Sequence, residues 1–421
     1  MVLFLCYYKS IETKPMKLRP HQQQSVLDLQ NNKVGIVTYP TGGGKTIVGI
    51  ADTIREFEKS EPQTVCVVAP RIILACQLSS EYLEHIKNAR VLHVHSGKVQ
   101  HYHTTKVKNI QDWTNIHKTH HKLIFCTYQS LRRIQESNIH INTYIMDEAH
   151  NSVKRSFHEH VKTASERSDR CFFFTATPKT SAVLSKPGMN DVDVYGKIIS
   201  NVSAPELVEG GYILKPRVVA KTLEASIDSV AERDRNHLLE ILDEQQINKM
   251  LVAVKSTKAM MAVLSETDFQ EEIKDRGYSL MHITSQYGAY IDGKPVNREK
   301  FFQTLNVWGK DDSKKFIVMN HSILGEGINV SCLDAVCFMR SMDVVSMLQN
   351  IGRTLRLHPD DIVGMQNGTV IPGNLSTYLK PEGLVICPVY DKNTDVASRN
   401  VQEIVDKVFE QGELAVSEIK K

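Results

Sequence analysis

Short apolar runs recur along this chain, each followed by a polar turn and then a stretch of helical spacing. Val34-Gly35-Ile36-Val37-Thr38 is the first, with helical spacing from 46 to about 57. Val65-Cys66-Val67-Val68-Ala69 is the next, with a helix expected from about 72 to 86. Leu123-Ile124-Phe125-Cys126-Thr127, Tyr144-Ile145-Met146-Asp147 and Cys171-Phe172-Phe173-Phe174 continue the series. Strands that face water on one side alternate apolar and polar positions, and these runs do not. They predict strands buried on both faces, hence an α/β fold with a mainly parallel sheet flanked by helices. In such sheets ligands gather beyond the strand C-termini. Lys45, Arg71, Thr127, Asp147, Glu148, Thr175 and Thr177 all sit at that edge.

The texture changes near Asn201-Val202-Ser203-Ala204-Pro205. Residues 206–212 read as a short helix ended by glycine, and Leu214-Lys215-Pro216 starts an extended segment. Met250-Leu251-Val252-Ala253-Val254 is expected to be the first strand of a second domain. Leu280-Met281-His282-Ile283-Thr284, Phe316-Ile317-Val318-Met319-Asn320, Ala335-Val336-Cys337-Phe338-Met339 and Leu384-Val385-Ile386-Cys387 are its further strands. Asp292-Gly293 signals a hairpin turn, and Asn297 caps a helix running to 305. A helix to about 355 carries Gln349, Gly352 and Arg353, and a charged helix is expected from about 396 to 420. The expected organisation is an N-terminal tail over 1–15, a first domain over 16–205, a linker over 206–216, a second domain over 217–392 and a C-terminal helix over 393–421. Seven histidines crowd one stretch: His93, His95, His101, His103, His117, His120 and His121. Their spacing matches no closed zinc pattern and no cysteine lies among them, so a polar, partly basic loop or hairpin is expected there.

Composition changes this picture little. At 421 residues the chain is long for one core. A hydrophobic content of 41% and a charged content of 24% are ordinary for a globular protein. The formal charge of +3 leaves nucleic-acid binding to a local basic surface. The eight cysteines are scattered, several within apolar runs, with no zinc-like pairing, which suits reduced, buried thiols in a cytoplasmic-type compartment. The apolar start, Val2 to Tyr8, is too short to span a bilayer and lacks the basic region and cleavage site of a signal peptide.

Tyr39-Pro40-Thr41-Gly42-Gly43-Gly44-Lys45-Thr46 joins the first strand to the first helix of the series. Strand, glycine-rich turn and Lys-Thr at a helix start form a phosphate-binding P-loop (Walker A) arrangement. Glycines let backbone N–H groups approach phosphate oxygens, and the helix N-terminus favours the anion. Lys45 would reach the β- and γ-phosphates and the Thr46 hydroxyl would ligate Mg²⁺. Tyr39 stands where the general pattern has glycine. Asp147-Glu148-Ala149-His150 follows a strand roughly a hundred residues later. Such an acid can hold Mg²⁺ and the adjacent Glu can activate water. Gln349, Arg353 and Arg356 share one helix side, and planar guanidinium groups suit a γ-phosphate. Gln22, one element before the loop, carries an amide that matches the adenine edge.

Taken in order, these segments resemble the motifs of superfamily 2 helicases. Leu18-Arg19-Pro20-His21-Gln22 resembles the Q-type motif, and Pro40 to Thr46 resembles motif I, which tolerates a non-glycine residue at Tyr39. Ala69-Pro70-Arg71 and Thr127-Tyr128-Gln129-Ser130-Leu131 look like motifs Ia and Ib. Asp147 to His150 is the DEAH form of motif II, and Thr175-Ala176-Thr177-Pro178 is similar to motif III. Val254-Lys255-Ser256-Thr257 resembles motif IV, Gly325-Glu326-Gly327-Ile328-Asn329-Val330 motif V, and Gln349 to Arg356 the QxxGRxxR of motif VI. The resemblance implies two RecA-like domains with an ATP site in the cleft between them. It implies adenine recognition by Gln22, phosphate binding by Thr41, Gly42, Gly43, Gly44, Lys45 and Thr46, and Mg²⁺ on Thr46 and Asp147. It gives hydrolysis to Lys45, Asp147 and Glu148, with Gln349, Arg353 and Arg356 acting from the opposite domain. Gly327 and Asn329 fall on nucleotide-contacting positions, although related motifs often carry Asp at Asn329. Arg71, Thr127, Ser256 and Thr257 would contact a sugar–phosphate backbone, while His150, Thr175 and Thr177 would couple hydrolysis to domain movement.

The texture is similar to the DNA helicase and translocase group, which includes type III restriction motor subunits, the excision-repair DEAH helicase and phage branch-migration helicases. The resemblance implies an ATP-driven motor on single-stranded or branched DNA, monomeric or weakly associating, in a bacterial or phage-infected cell. The short chain without large accessory domains suggests a phage or other viral member. An RNA-dependent ATPase and a non-motor, ATP-switched nucleic-acid clamp are the rival readings. An unrelated P-loop NTPase acting on a protein is argued against by motifs V and VI.

Overall fold

The structure, a computed structural model, describes residues 16–183, 185–222, 229–321, 332–389 and 392–419. Its first half runs α1 (Pro20–Gln30), β1 (Val34–Thr38), α2 (Lys45–Glu56), β2 (Thr64–Ala69), α3 (Ile72–His85), β3 (Ala89–Val94), α4 (Val107–Ile116), β4 (His121–Thr127), α5 (Leu131–Glu136), β5 (Thr143–Met146), α6 (Arg155–Arg167), β6 (Arg170–Thr175), β7 (Lys179–Ser181), α7 (Val192–Tyr195), β8 (Lys197–Asn201) and α8 (Ala204–Glu209). Seven of these strands form one sheet in the order β3-β4-β2-β5-β6-β1-β8, parallel throughout. The continuous apolar runs occupy its centre, where β2, β5, β6 and β1 are buried on both faces. β1 and β6 run in register from Val34 opposite Cys171 to Thr38 opposite Thr175. That register sets the end of β1, where the phosphate loop starts, beside the end of β6.

The second half runs β9 (Lys215–Thr222), α9 (Val230–Gln245), β10 (Lys249–Ala253), α10 (Thr257–Glu266), α11 (Phe269–Asp275), β11 (Tyr278–Thr284), β12 (Gly288–Ile291), β13 (Lys294–Val296), α12 (Arg298–Gly309), β14 (Lys315–Asn320), β15 (Ala335–Phe338), α13 (Val344–Thr354), α14 (Pro359–Asn367), β16 (Glu382–Val389), α15 (Lys392–Val405) and β17 (Ser417–Ile419). Its eight-stranded sheet has the order β13-β12-β11-β14-β10-β15-β16-β9, parallel except for the meander β11-β12-β13. The expected α/β architecture, two mainly parallel sheets flanked by helices, is present.

The elements that sequence patterning misplaces lie at edges. The second sheet starts with β9, not with β10, and Pro216 explains why the run is inconspicuous: proline tolerates only an edge, and β9 pairs with β16 alone. The histidine-rich stretch is not one loop. His93 lies in β3, one residue before its end, α4 fills the middle, and His121 begins β4. The closing helix stops far short of 420. It passes into a π-helical turn at Asp406–Glu410 and is broken at Gly412, whose φ of +73° is left-handed. The chain then returns to the first half, where β17 pairs in parallel with β7, immediately after Pro178. On the way, Phe409 and residues 412–415 pack behind the phosphate loop, against Tyr39, Pro40 and Thr41 and against Leu348 and Gly352 of α13.

A buried ion-pair group pins α2 to the sheet. Arg170, at the start of β6, reaches Asp52 at 2.7 Å and Glu56 at 2.7 Å, and donates to the Leu29 carbonyl at 3.0 Å. Burial raises the Asp52 pKa even with Arg170 beside it.

Candidate functional site

The loop from Tyr39 to Gly44 is held from beneath. Gly42 and Gly44 adopt φ of +92° and +87°, a region that glycine enters without a Cβ penalty. A Cβ on Gly44 would also stand 2.3 Å from Gln22 Nε2. Gln22 is buried, with its amide spent on the loop side: Nε2 donates to the Gly44 carbonyl at 3.4 Å and Oε1 accepts from the Arg19 N–H at 2.9 Å. Tyr39 explains its own presence. It is 1% exposed, its hydroxyl bonds Ser25 and the His21 carbonyl, and Ser25 in turn bonds Ser200 at 2.6 Å. A glycine there would leave that polar cluster open. Lys45 Nζ donates to the Tyr39 carbonyl at 3.2 Å, and Thr46 follows it at the start of α2.

Asp147 follows β5, where the Tyr128 hydroxyl donates to its carbonyl at 2.9 Å. Burial and the neighbouring Glu148 raise its carboxyl to about 7, with Lys45 pulling the other way. Glu148 sits at φ +45°, rare for a residue with a side chain and the kind of strain found at working sites. His150 Nδ1 lies 3.4 Å from Glu148 Oε2 and 3.2 Å from Thr175 Oγ1. The Asn151 amide donates to His150 Nε2 at 3.0 Å, which assigns the proton to Nδ1. Thr175 Oγ1 also accepts from the Thr177 N–H at 3.1 Å. Glu148, His150, Thr175 and Thr177 therefore form one connected chain of contacts.

α13 brings the other wall. Arg353 is 4% exposed and its Nη1 donates to the Gln349 carbonyl at 3.1 Å and Asn350 Oδ1 at 3.0 Å. Burial and then Arg356 lower its guanidinium to about 10, still charged at neutral pH. Burial lowers Arg356 as well, against the pull of Glu81. α13 meets the loop so closely that a Cβ on Gly352 would stand 2.3 Å from Thr41 Cβ.

One cavity of about 720 Å³ joins these groups, walled by Thr41, Gly42, Gly44, Lys45, Thr46, Asp147 and Glu148 from the first half and by Gln349, Arg353 and Arg356 from the second. Its size suits a nucleotide. Five cationic side chains (Arg19, Lys45, Lys310, Arg353, Arg356) face three carboxylates (Glu81, Asp147, Glu148), an excess suited to a polyphosphate. Among the described residues, the buried Gln349 Nε2 has no hydrogen-bond partner, a donor that awaits an acceptor. Thr46 and Asp147 offer the oxygen donors that a hard divalent cation takes.

A second cleft, of about 1140 Å³, spans both halves on the side of Pro70 and Thr127. Arg71, Thr127, Gln129, Ser130, Arg132, Arg133 and Phe157 line it from the first half, and Arg298 and Phe302 from α12. Arginines interleaved with aromatic rings suit phosphates and bases. Ser256 and Thr257 line neither cleft, and the Ser256 hydroxyl caps α10 by accepting from the Ala259 N–H at 3.0 Å. Thr175 and Thr177 are buried behind the loop. Gly327 and Asn329, with the rest of 322–331, lie outside the described residues.

Sequence reading missed Arg19, Glu81, Tyr212 and Lys310 in the first cavity and Arg298 and Phe302 in the second. Arg19 stacks over the Tyr212 ring at 4.5 Å, joining the segment before α1 to the crossing between halves. Only Arg19 carried a signal, its place inside the motif that ends in Gln22.

Residues 15–180 match the family described as type III restriction enzyme, res subunit, and residues 234–358 match the helicase conserved C-terminal domain. No curated protein sequence matches the chain. Among solved structures, the ATP-dependent type ISP restriction-modification enzyme LlaBIII bound to DNA superposes with a TM-score of 0.71 at 18% identity, over 97% of this chain and 31% of that one. A nuclease-deletion mutant of the type ISP enzyme LlaGI, in complex with a DNA substrate mimic, gives 0.64 at 18% identity, over 95% and 30%. Saccharomyces cerevisiae Dbp5 bound to RNA and ADP BeF3 gives 0.55 at 16% identity, over 95% and 89%. The chain thus spans about a third of the length of the two restriction enzymes. No helix among the described residues is long and apolar enough to cross a membrane.

Proposed function

We propose that this chain, a superfamily 2 helicase related to the motor subunits of type III restriction enzymes, hydrolyses ATP to move along or remodel DNA. The observation that carries this reading is the single cavity in which Lys45, Asp147 and Glu148 face Gln349, Arg353 and Arg356. Lys45 leaves the Tyr39 carbonyl for the phosphates, and the Gln349 amide finds its acceptor on the nucleotide. Gln22 reads the adenine edge once released from its long bond to Gly44. Thr46 and Asp147 would hold Mg²⁺, which neutralises phosphate charge when bound. Glu148 orients and deprotonates the attacking water. Arg353 and Arg356 meet the γ-phosphate charge from the opposite half, so occupancy of the site favours a closed arrangement and hydrolysis relaxes it. His150, Thr175 and Thr177 link Glu148 to the end of β6 and couple hydrolysis to movement of the two halves. Arg71 and Thr127 grip backbone phosphates in the second cleft, which gives weak sequence preference and strong salt dependence, while Ser256 and Thr257 stand outside it.

DNA as the substrate is supported by the res-subunit match and by the DNA in the two restriction-enzyme neighbours. RNA is the second reading, favoured by the RNA-bound Dbp5 structure, which this chain covers almost fully. ATPase assays with single-stranded DNA, duplex DNA, branched DNA and RNA separate the two. DNA is expected to stimulate turnover, and Lys45→Ala to abolish it. Stimulation by RNA alone, or undiminished turnover in Lys45→Ala, refutes the proposal. Triplex displacement then separates a translocase from a non-moving clamp, and strand displacement on forked, tailed and Holliday-junction DNA defines the remodelling step.

A further inference from the structure

A cluster of soft donor atoms lies outside both the nucleotide chemistry and the phosphate grip. Cys76 stands on α3, His93 lies near the end of β3, and His95 follows that strand. The chain after β3 folds back beside it: the His93 N–H donates to the Tyr102 carbonyl at 2.9 Å and the Thr104 N–H to the His93 carbonyl at 3.0 Å. That return sets His101, exposed, in a stack on His93 with ring centroids 5.9 Å apart. His93 Nδ1 lies 3.0 Å from His95 Nε2, and Cys76 Sγ lies 4.0 Å from the same nitrogen. All three donor atoms fall within 4.8 Å of one another.

A tetrahedral zinc-class ion, with nitrogen ligands at about 2.05 Å and thiolate at about 2.3 Å, needs N–N edges of about 3.3 Å and N–S edges of about 3.6 Å. The two measured edges bracket those lengths, so small side-chain shifts close the site. Ser79 Oγ lies 3.1 Å from His93 Nε2, which takes that ring's N–H and turns Nδ1 toward the cluster, as the partners of metal-bound histidines do. The sulfur comes from another element, which is why histidine spacing alone showed no metal pattern.

We propose that Cys76, His93 and His95 bind a divalent transition-metal ion of the zinc class at the wall of the second cleft, which His95 also lines. His101 or water completes the fourth position. The proposal is independent of the nucleic acid assigned to that cleft. Without an ion, the same rings close a hydrogen-bond chain: Gly97 N–H to His95 Nδ1 at 3.2 Å, His95 Nε2–H to His93 Nδ1, and His93 Nε2–H to Ser79. Metal binding moves the His95 proton to Nδ1, turns the Gly97 amide away, and releases the Cys76 thiol proton to solvent as the sulfur–metal bond forms. One proton leaves per ion.

The test is titration of the chelator-treated full chain with Co²⁺ and then Zn²⁺. Co²⁺ is expected to bind one per chain with a thiolate-to-cobalt charge-transfer band, which one equivalent of Zn²⁺ abolishes. Cys76→Ser is expected to lose the band while keeping basal ATPase and a normal melting curve. Ser79→Ala keeps the three ligands and is expected to weaken Zn²⁺ binding about 10–100-fold. Absence of the band, its persistence in Cys76→Ser, or release of no proton on Zn²⁺ binding overturns the proposal and leaves the hydrogen-bond chain as the whole role of these residues.

Discussion

Gly352→Ala tests whether the two halves meet at the nucleotide. The added Cβ would stand 2.3 Å from Thr41 Cβ, 2.7 Å from its Cγ2 and 3.2 Å from its Oγ1. Carbon atoms pack at about 3.5–4.0 Å, so the helix and the loop must part by about 1.2 Å or more. Rotation of Thr41 does not help, because its Cβ is fixed to the loop backbone. The substitution itself favours α13, since alanine is the better helix former by about 1 kcal/mol. Overpacking opposes it by about 1–3 kcal/mol, so the fold is expected to survive. Arg353 is the next residue, and its displacement by about 1 Å is expected to lower kcat on the order of 100-fold. ATP binding on the Lys45 side should change little. Nucleic-acid-stimulated ATPase, with ATP affinity measured separately, reads both quantities. Thr41→Gly added to Gly352→Ala removes the opposing Cβ and is expected to recover part of the lost kcat relative to the single variant. Undiminished kcat in Gly352→Ala would show that the contact is not part of the working state.

Three further outcomes are expected. Arg353→Ala should still bind ATP but hydrolyse it about 10³-fold more slowly or worse, and loss of ATP binding itself would remove the γ-phosphate role. Arg170→Ala should cost about 3–5 kcal/mol in urea unfolding, because Asp52 is left buried without its cation, while Glu56 keeps Lys59 at 2.7 Å. Removing Arg170 raises the Asp52 pKa further above its unfolded value, so that deficit should grow as pH rises through the carboxylate range and shrink in acid; a pH-independent deficit contradicts the ion-pair account. Tyr39→Phe should lose about 1 kcal/mol through the missing hydroxyl contact to Ser25 and His21, with ATP binding kept.

Sequence alone exposed the centres of both sheets and the residues at their C-terminal ends. Central parallel strands bury both faces, so β1, β2, β5 and β6 appear as unbroken apolar runs, and Lys45 and Asp147 follow directly from where those runs stop. Edge strands send no such signal: β3 carries Arg90 and His93, β8 carries Lys197, and β9 carries Pro216. Arg353 was visible from its helical spacing to Gln349, whereas Arg356, expected on the same helix side, lies beyond the end of α13 at Thr354. Arg298 and Phe302 were not visible, because what gives them a role is the opposing half of a cleft, which no local pattern encodes. Gln22 was placed correctly beside the loop, yet its amide faces Gly44 and Arg19, a detail of rotamer and packing. Cys76 lies on a different element from His93 and His95, so only the folded chain brings that sulfur to the rings.

The pairing of β17 with β7 means that the chain passes between the two halves twice, once from α8 to β9 and once from the π-helical turn to β17. A single covalent passage behaves as a ball joint and leaves the bodies free to swivel. Two passages side by side would act as the two knuckles of a door, favouring rotation about the line through them. The first knuckle runs beneath the phosphate loop and the second packs behind it, so that line lies close to the nucleotide. An opening about that line would be small beside the phosphate loop and longer at the far rim of the second cleft.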